Sequence, residues 1–147
     1  MKKIIGNILV GSMVLCCGNY GLRAQDKEAR ERLDNRIEAV NDAAKKPGMM
    51  DVALERISTQ TGVPRDQVQA LHKRFSDVRA GGLLVACVLA AETKKGGDVF
   101  LKERSGGKTW AAIARENNVP VEKLVGRLEN VQKSLVTDQD KGKPKKD

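Results

Sequence analysis

One pattern of twelve residues occurs three times without gaps, and it constrains this chain more than any other feature. Residues 57–68 read Ile-Ser-Thr-Gln-Thr-Gly-Val-Pro-Arg-Asp-Gln-Val, residues 89–100 Leu-Ala-Ala-Glu-Thr-Lys-Lys-Gly-Gly-Asp-Val-Phe, and residues 113–124 Ile-Ala-Arg-Glu-Asn-Asn-Val-Pro-Val-Glu-Lys-Leu. Each copy opens on an aliphatic residue, with Gln or Glu at the fourth position and Thr or Asn at the fifth. Pro or Gly follows at the eighth, an acid at the tenth and an apolar residue at the twelfth.

The chemistry of each position reads as a helical corner. Ile57, Leu89 and Ile113 anchor the end of one helix, and Thr61, Thr93 and Asn117 lie where that helix stops. Pro64 and Pro120 are expected in the first turn of the next helix, where a missing N–H costs nothing. Asp66, Asp98 and Glu122 fall in the same turn, at the positive end of the helix dipole. Val68, Phe100 and Leu124 then return to the core. Each copy is thus the corner of a helix–turn–helix hairpin.

The expected fold class is all-α, a compact bundle of about six short helices built from three such hairpins. Its helices are placed at residues 50–61, 64–75, 80–93, 97–104, 108–117 and 121–136. No segment alternates with period two long enough to compete as a strand. Gly81-Gly82, Gly96-Gly97 and Gly106-Gly107 mark the joints. The expected core is Val52, Leu54, Ile57, Val63, Val68, Leu71, Leu84, Val85, Val88, Leu89, Phe100, Trp110, Ile113, Val119, Leu124 and Leu128.

Outside this helical domain, residues 48–137, the chain divides into three parts. Residues 1–24 read as a signal peptide: Lys2 and Lys3 precede an apolar run at residues 4–17, too short to span a bilayer, which takes about 20 residues. Gly18-Asn19-Tyr20-Gly21 is expected to break that helix, and Ala24 offers a small residue before cleavage at Gln25. Lipidation through Cys16 or Cys17 is an alternative, although neither follows the small residue a lipoprotein signal carries. Residues 25–47 form an amphipathic charged helix whose stripe of Leu33, Ile37, Val40 and Ala44 is narrow, suiting a projecting arm. Residues 138–147 hold four Lys, three Asp and no apolar residue and are expected to be a disordered tail.

Composition narrows the function classes. The 147 residues carry a net charge of +8 and only four aromatics, which argues against a multidomain enzyme, a polytopic membrane protein and a disulfide-dense scaffold. Part of that charge, on Lys2, Lys3 and Arg23, would leave with the signal peptide. The remaining excess lies between Lys73 and Lys108, with eight bases against four acids. A mildly basic exported domain suits an anionic envelope surface better than nucleic acid. Cleavage would also leave Cys87 as the sole cysteine, inside the apolar run at residues 83–89, where it reads as a small buried hydrophobe.

No chemical constellation emerges from the remaining motifs. Gly106-Gly107-Lys108-Thr109 resembles the end of a phosphate loop, but the Gly required five residues before Gly107 is Lys102 and a preceding strand is missing. Thr109 is read instead as an N-cap. His72, the single histidine, has no partners at metal-ligand spacing and reads as a solvated surface residue. Asp98, Glu92 and Glu103 are the carboxylates a hydrolase would have to use, and capping and solvation account for them. Residues 110–124 have the outline of a DNA-binding corner, yet the second helix offers only Lys123 and Arg127 against Glu122 over residues 121–128. Phe75, Phe100 and Trp110 sit at core positions, leaving no aromatic platform for single strands or glycans. The expected catalytic, cofactor and metal sites are therefore none.

The run Cys-Val-Leu-Ala-Ala-Glu-Thr from Cys87, Phe-Leu-Lys from Phe100 and Gly-Lys-Thr-Trp-Ala-Ala-Ile-Ala-Arg-Glu-Asn-Asn-Val from Gly107 resembles small exported bacterial helical proteins. Their repeats end in a Gly-Lys-x-Trp-x-x-Ile-Ala pattern. Over residues 83–124, and with residues 57–71 added, the resemblance covers about half of the chain and implies a helical fold and export, with no activity and no site residues. Ala111 departs from it, standing where Gly often follows the Trp.

These readings converge on an exported, non-enzymatic helical module that binds a protein or an anionic envelope component. The alternative is a DNA-binding helix–turn–helix protein whose N-terminal segment is not a cleaved signal.

Overall fold

The structure, a computed structural model, describes residues 19–141, with side chains from residue 25. The apolar run of the expected signal peptide, with Cys16 and Cys17, lies outside the described residues, as does the end of the tail at residues 142–147. Seven helices and no strand occur among the described residues: α1 Asn19–Ala44, α2 Met49–Thr61, α3 Arg65–Arg74, α4 Ala80–Thr93, α5 Gly97–Ser105, α6 Trp110–Glu116 and α7 Val121–Lys141.

α4 is the central post. Every residue from Ala80 to Leu89 is buried, because a helix apolar on all sides must be surrounded, and α1, α2, α3, α5 and α7 all pack on it. α7 contributes Leu124, Val125, Leu128, Val131 and Leu135 from one continuous stripe.

α1 is not a projecting arm. Leu33, Ile37, Val40 and Ala44 are all buried, and α7 is its principal neighbour, with α4 next. The stripe is narrow, but it meets two apolar faces at once, and each supplies what the other lacks. α1 also continues through Tyr20 and Gly21, so no helix break falls at those two residues, while Gly18 lies outside the described residues. At the other end, α7 runs four residues into the expected tail. Asp138 accepts from Arg56 of α2 at 2.7 and 3.1 Å, and the Gln139 amide donates to the Ala43 carbonyl at 2.9 Å. These long-range partners hold residues whose composition alone reads as unfolded.

The three repeat copies form equivalent corners. In each, the fifth residue donates to the carbonyl of the first: Thr61 Oγ1 to Ile57 at 2.7 Å, Thr93 Oγ1 to Leu89 at 2.7 Å, and Asn117 Nδ2 to Ile113 at 2.8 Å. The sixth residue is left-handed in all three, with φ 73° at Gly62, 60° at Lys94 and 55° at Asn118. This is the reversal that commonly ends a helix. The following helix starts at the ninth position each time, at Arg65, Gly97 and Val121. Pro64 is consequently the N-cap of α3 and not part of its first turn. Its ψ of 139° is extended, and its carbonyl accepts from Val68 N at 3.1 Å.

The first and twelfth residues of every copy are fully buried, so the pattern is a packing device. Of the expected core, Val52, Val63 and Leu71 are only half-buried against it. Phe75 is also half-buried, with the Arg74 guanidinium 5.7 Å from its ring centroid.

Candidate functional site

The residues singled out for chemistry are scattered and individually engaged. Asp98 lies between Lys102 at 3.2 Å and Arg74 at 3.9 Å, Glu92 holds Lys123 at 2.5 Å, and Glu103 faces Lys108 at 3.4 Å. The hydrogen bond from Lys102 holds the Asp98 carboxyl below its ordinary range. Lys108 sits between Glu116 and Glu103, and the Glu116 hydrogen bond raises its ammonium above the usual value. Thr109 caps α6 by accepting from Ala112 N at 3.2 Å, so the phosphate-loop-like sequence is a helix joint.

Cys87 is fully buried, and desolvation pushes its thiol up to about 12. A thiol that stays protonated is a poor nucleophile. His72 departs from its expected place in solvent: it is half-buried, and its Nδ1 is sealed without a hydrogen-bond partner. No group of His, Cys, Asp or Glu able to hold a metal ion occurs among the described residues.

In the corner with the DNA-binding outline, both basic residues at the start of α7 turn to neighbouring helices. Lys123 pairs with Glu92, and Arg127 lies 3.4 Å from Gln60. The first corner is more open. Only Val68 of α3 is buried, leaving Arg65, Gln67, Lys73 and Arg74 exposed.

A different location carries groups whose interactions are incomplete. Trp110, the first residue of α6, is 4% exposed, and its indole edge faces the start of α4. A Cβ on Gly82 would lie 3.5 Å from Trp110 Cζ2 and 3.9 Å from Nε1. The ring forms one wall of a cleft of about 370 Å³ beside Ile37, Val78 and Gly82. Buried indole N–H groups usually find an acceptor, but the Trp110 side chain makes no hydrogen bond to another described residue. Among the described residues His72 Nδ1 is the one sealed, unpartnered side-chain polar atom. The indole N–H, which is not among such sealed atoms, lies on the edge that faces Gly82 and the cleft.

Charges ring this cleft. Glu38 Oε1 accepts from Arg79 Nη2 at 2.7 Å and from Asn41 Nδ2 at 3.3 Å. Arg104, on the far rim, gives one N–H to the Lys108 carbonyl at 2.9 Å. Asp34 has Arg30 at 3.7 Å, with both side chains about half exposed. Asp77 has no partner among the described residues.

Three carboxylates in one concavity exceed the pair a carboxylate hydrolase requires. Yet the Asp34 and Glu38 side chains are 51% and 53% exposed, unlike the apolar setting that turns a carboxyl into a general acid. The arrangement is suited to recognition: a fixed donor at the wall and charges at the rim.

Sequence reasoning placed Trp110 in the core and did not find this site. Its rim comes from α1, the α3–α4 connection and the end of α5, which no local spacing connects. No family model matches the chain, and neither a curated protein nor a solved structure is significantly similar to it.

Proposed function

We propose that this chain is an exported, non-enzymatic helical module that binds a protein partner through the Trp110 cleft. The observation that carries the reading is the indole N–H, held in place by a nearly buried ring and without an acceptor among the described residues. A fixed donor that only water satisfies can be given to an acceptor on a partner. Export rests on the n-region, apolar run and small residue that end at Ala24, and the resemblance to exported helical proteins points the same way.

Two measurements test the reading. Fractionation followed by N-terminal sequencing should find a mature chain beginning near Gln25 outside the cytoplasm. Chemical crosslinking in an envelope fraction should give a partner adduct that Trp110→Phe abolishes while the helical circular dichroism is kept. An adduct indifferent to Trp110→Phe would remove the cleft from the reading.

A second reading is a DNA-binding helix–turn–helix protein with an uncleaved N-terminal segment, for which α3 offers exposed Lys73 while Arg65 and Arg74 already face Glu55 and Asp98. Nucleic-acid affinity falling steeply with salt, in a chain recovered intact from the cytoplasm, would establish it in place of the first.

A further inference from the structure

We infer that the cleft where the first two corners meet binds a single-chain anionic amphiphile, a carboxylate carried on a short unbranched hydrocarbon. This cleft and the Trp110 cleft share no lining residue, so the site stands apart from the proposed protein-binding one.

The space follows from the residues that α4 turns toward α3. Cys87, Ala90 and Ala91 fall at i, i+3 and i+4 of one helix face, and all three are small. Val63 of the first corner and Leu71 of α3 line the same cleft, and both are only half-buried. α5 limits how far Leu71 can move in. A Cβ on Gly97 would lie 2.9 Å from Leu71 Cδ1, so the start of α5 already meets that side chain as closely as glycine permits. Small residues on one wall and a fixed leucine on another leave a cleft of about 390 Å³, in the lower range of small-ligand sites.

The mouth is cationic. Lys94 and Lys95 line the cleft and no carboxylate does. Lys94 is exposed and has no partner among the described residues. Lys95 Nζ donates to a neutral acceptor, Asn117 Oδ1, at 2.7 Å. Gln67, also in the lining, makes no side-chain hydrogen bond to a described residue. Asp66, Glu92 and Asp98 adjoin lining residues in sequence but stand outside the cleft. Glu92 is held by Lys123, and Asp98 by Lys102 and Arg74. Two ammonium groups that face no carboxylate favour an anion and repel a cation. The apolar floor beneath them gains from a hydrocarbon that displaces water. One molecule satisfies both demands when its charge and its tail are joined, and the volume suits a single short chain.

Octanoate is the probe. Titrated into the purified chain below its micelle concentration, it should move the backbone amide resonances of Gly62, Gly96 and Gly97 together and saturate. Octanol, with the same tail and no charge, should bind about tenfold more weakly, the scale of two exposed charge pairs. Octylammonium should leave the three resonances in place. Replacing both lysines, Lys94→Gln with Lys95→Gln, should weaken octanoate by about the same tenfold. Ala90→Leu fills the cleft and keeps both lysines, so it should abolish the shifts while the helical circular dichroism is retained. Ala91 is exposed, and Ala91→Leu makes the same test should Ala90→Leu unfold the chain.

Amides that never move, or octanol or octylammonium bound as tightly as octanoate, would overturn the inference. Inorganic phosphate giving the same saturating shifts would also overturn it, by revealing a bare anion site that makes no use of the apolar floor. Unchanged octanoate affinity in a folded cleft-filling variant would place the ligand elsewhere, with the same consequence.

Discussion

Gly81 donates its backbone N–H to Oδ1 of Asn41 across 2.8 Å, in the buried seam between α1 and α4. A Cβ on Gly81 would lie 2.4 Å from the Ile37 carbonyl oxygen, so two helix backbones approach here as closely as glycine alone allows. Asn41, 5% exposed, satisfies one of the otherwise orphaned N–H groups of the α4 first turn.

Gly81→Ala is accordingly expected to be among the most damaging small substitutions, because the obstructing atom is backbone and cannot swing away. Asn41→Ala should cost about 1–3 kcal/mol by leaving a buried donor without its acceptor. Urea unfolding of both variants measures this. An Asn41→Ala variant as stable as the parent would show that water or another group reaches Gly81 N.

The helical corners were legible in the sequence because the constraint is local: caps, acids and apolar anchors within twelve residues. The helices accordingly lie within a few residues of their expected positions. The seam was not legible. Gly81-Gly82 looks like punctuation between helices, and only the approach of α1, some forty residues away, shows that it sets a packing distance. The burial of α1 escaped for the same reason, since a narrow stripe cannot announce that α4 and α7 will both cover it. The Trp110 cleft required three separate elements to meet.

The three left-handed corner residues provide a comparison within one molecule. Gly62 adopts φ 73° freely, whereas Lys94 and Asn118 hold 60° and 55° with a Cβ. Gly62→Ala should destabilise by roughly 1 kcal/mol, and Lys94→Gly should stabilise by a few tenths to about 1 kcal/mol. Asn118→Gly should gain less, because asparagine tolerates this region. Melting temperatures in the reverse order would show that side-chain contacts of Lys94 outweigh its backbone strain.

Cys87 should be silent to thiol reagents while the chain is folded. It is completely buried, and its thiol is raised to about 12, so neither access nor thiolate is available near neutral pH. Ellman's reagent should label it only at the rate of global unfolding, and mild urea should accelerate labelling in step with the loss of helical signal. Fast labelling of folded protein would place the sulfur on a locally opening path between the α2–α3 and α4–α5 corners.

Asp98 and Lys108 make opposite contributions to the pH dependence of stability. Asp98 is lowered below its ordinary 3.8, first by the Lys102 hydrogen bond. Its contribution is present above that value and is lost as pH falls through the lower folded-state value. Lys108 is raised above 10.5, first by its bond to Glu116. Its contribution is present below 10.5 and is lost as pH climbs through the folded-state value. Asp98→Asn should therefore lower the melting temperature slightly at pH 7 and flatten its decline in acid, while Lys108→Met should do the same on the alkaline side.

Trp110 separates structure from recognition with two substitutions. Trp110→Ala removes a ring that is 4% exposed and should cost about 3–5 kcal/mol. Trp110→Phe keeps an aromatic ring in the core but removes the N–H together with part of the indole edge that faces Gly82, so it should cost less in stability than Trp110→Ala. If the indole donor serves recognition, the phenylalanine variant will weaken partner binding by more than its loss of stability accounts for. If the ring is purely structural, partner binding will follow stability across both variants, and the two substitutions will differ only in how far they unfold the chain.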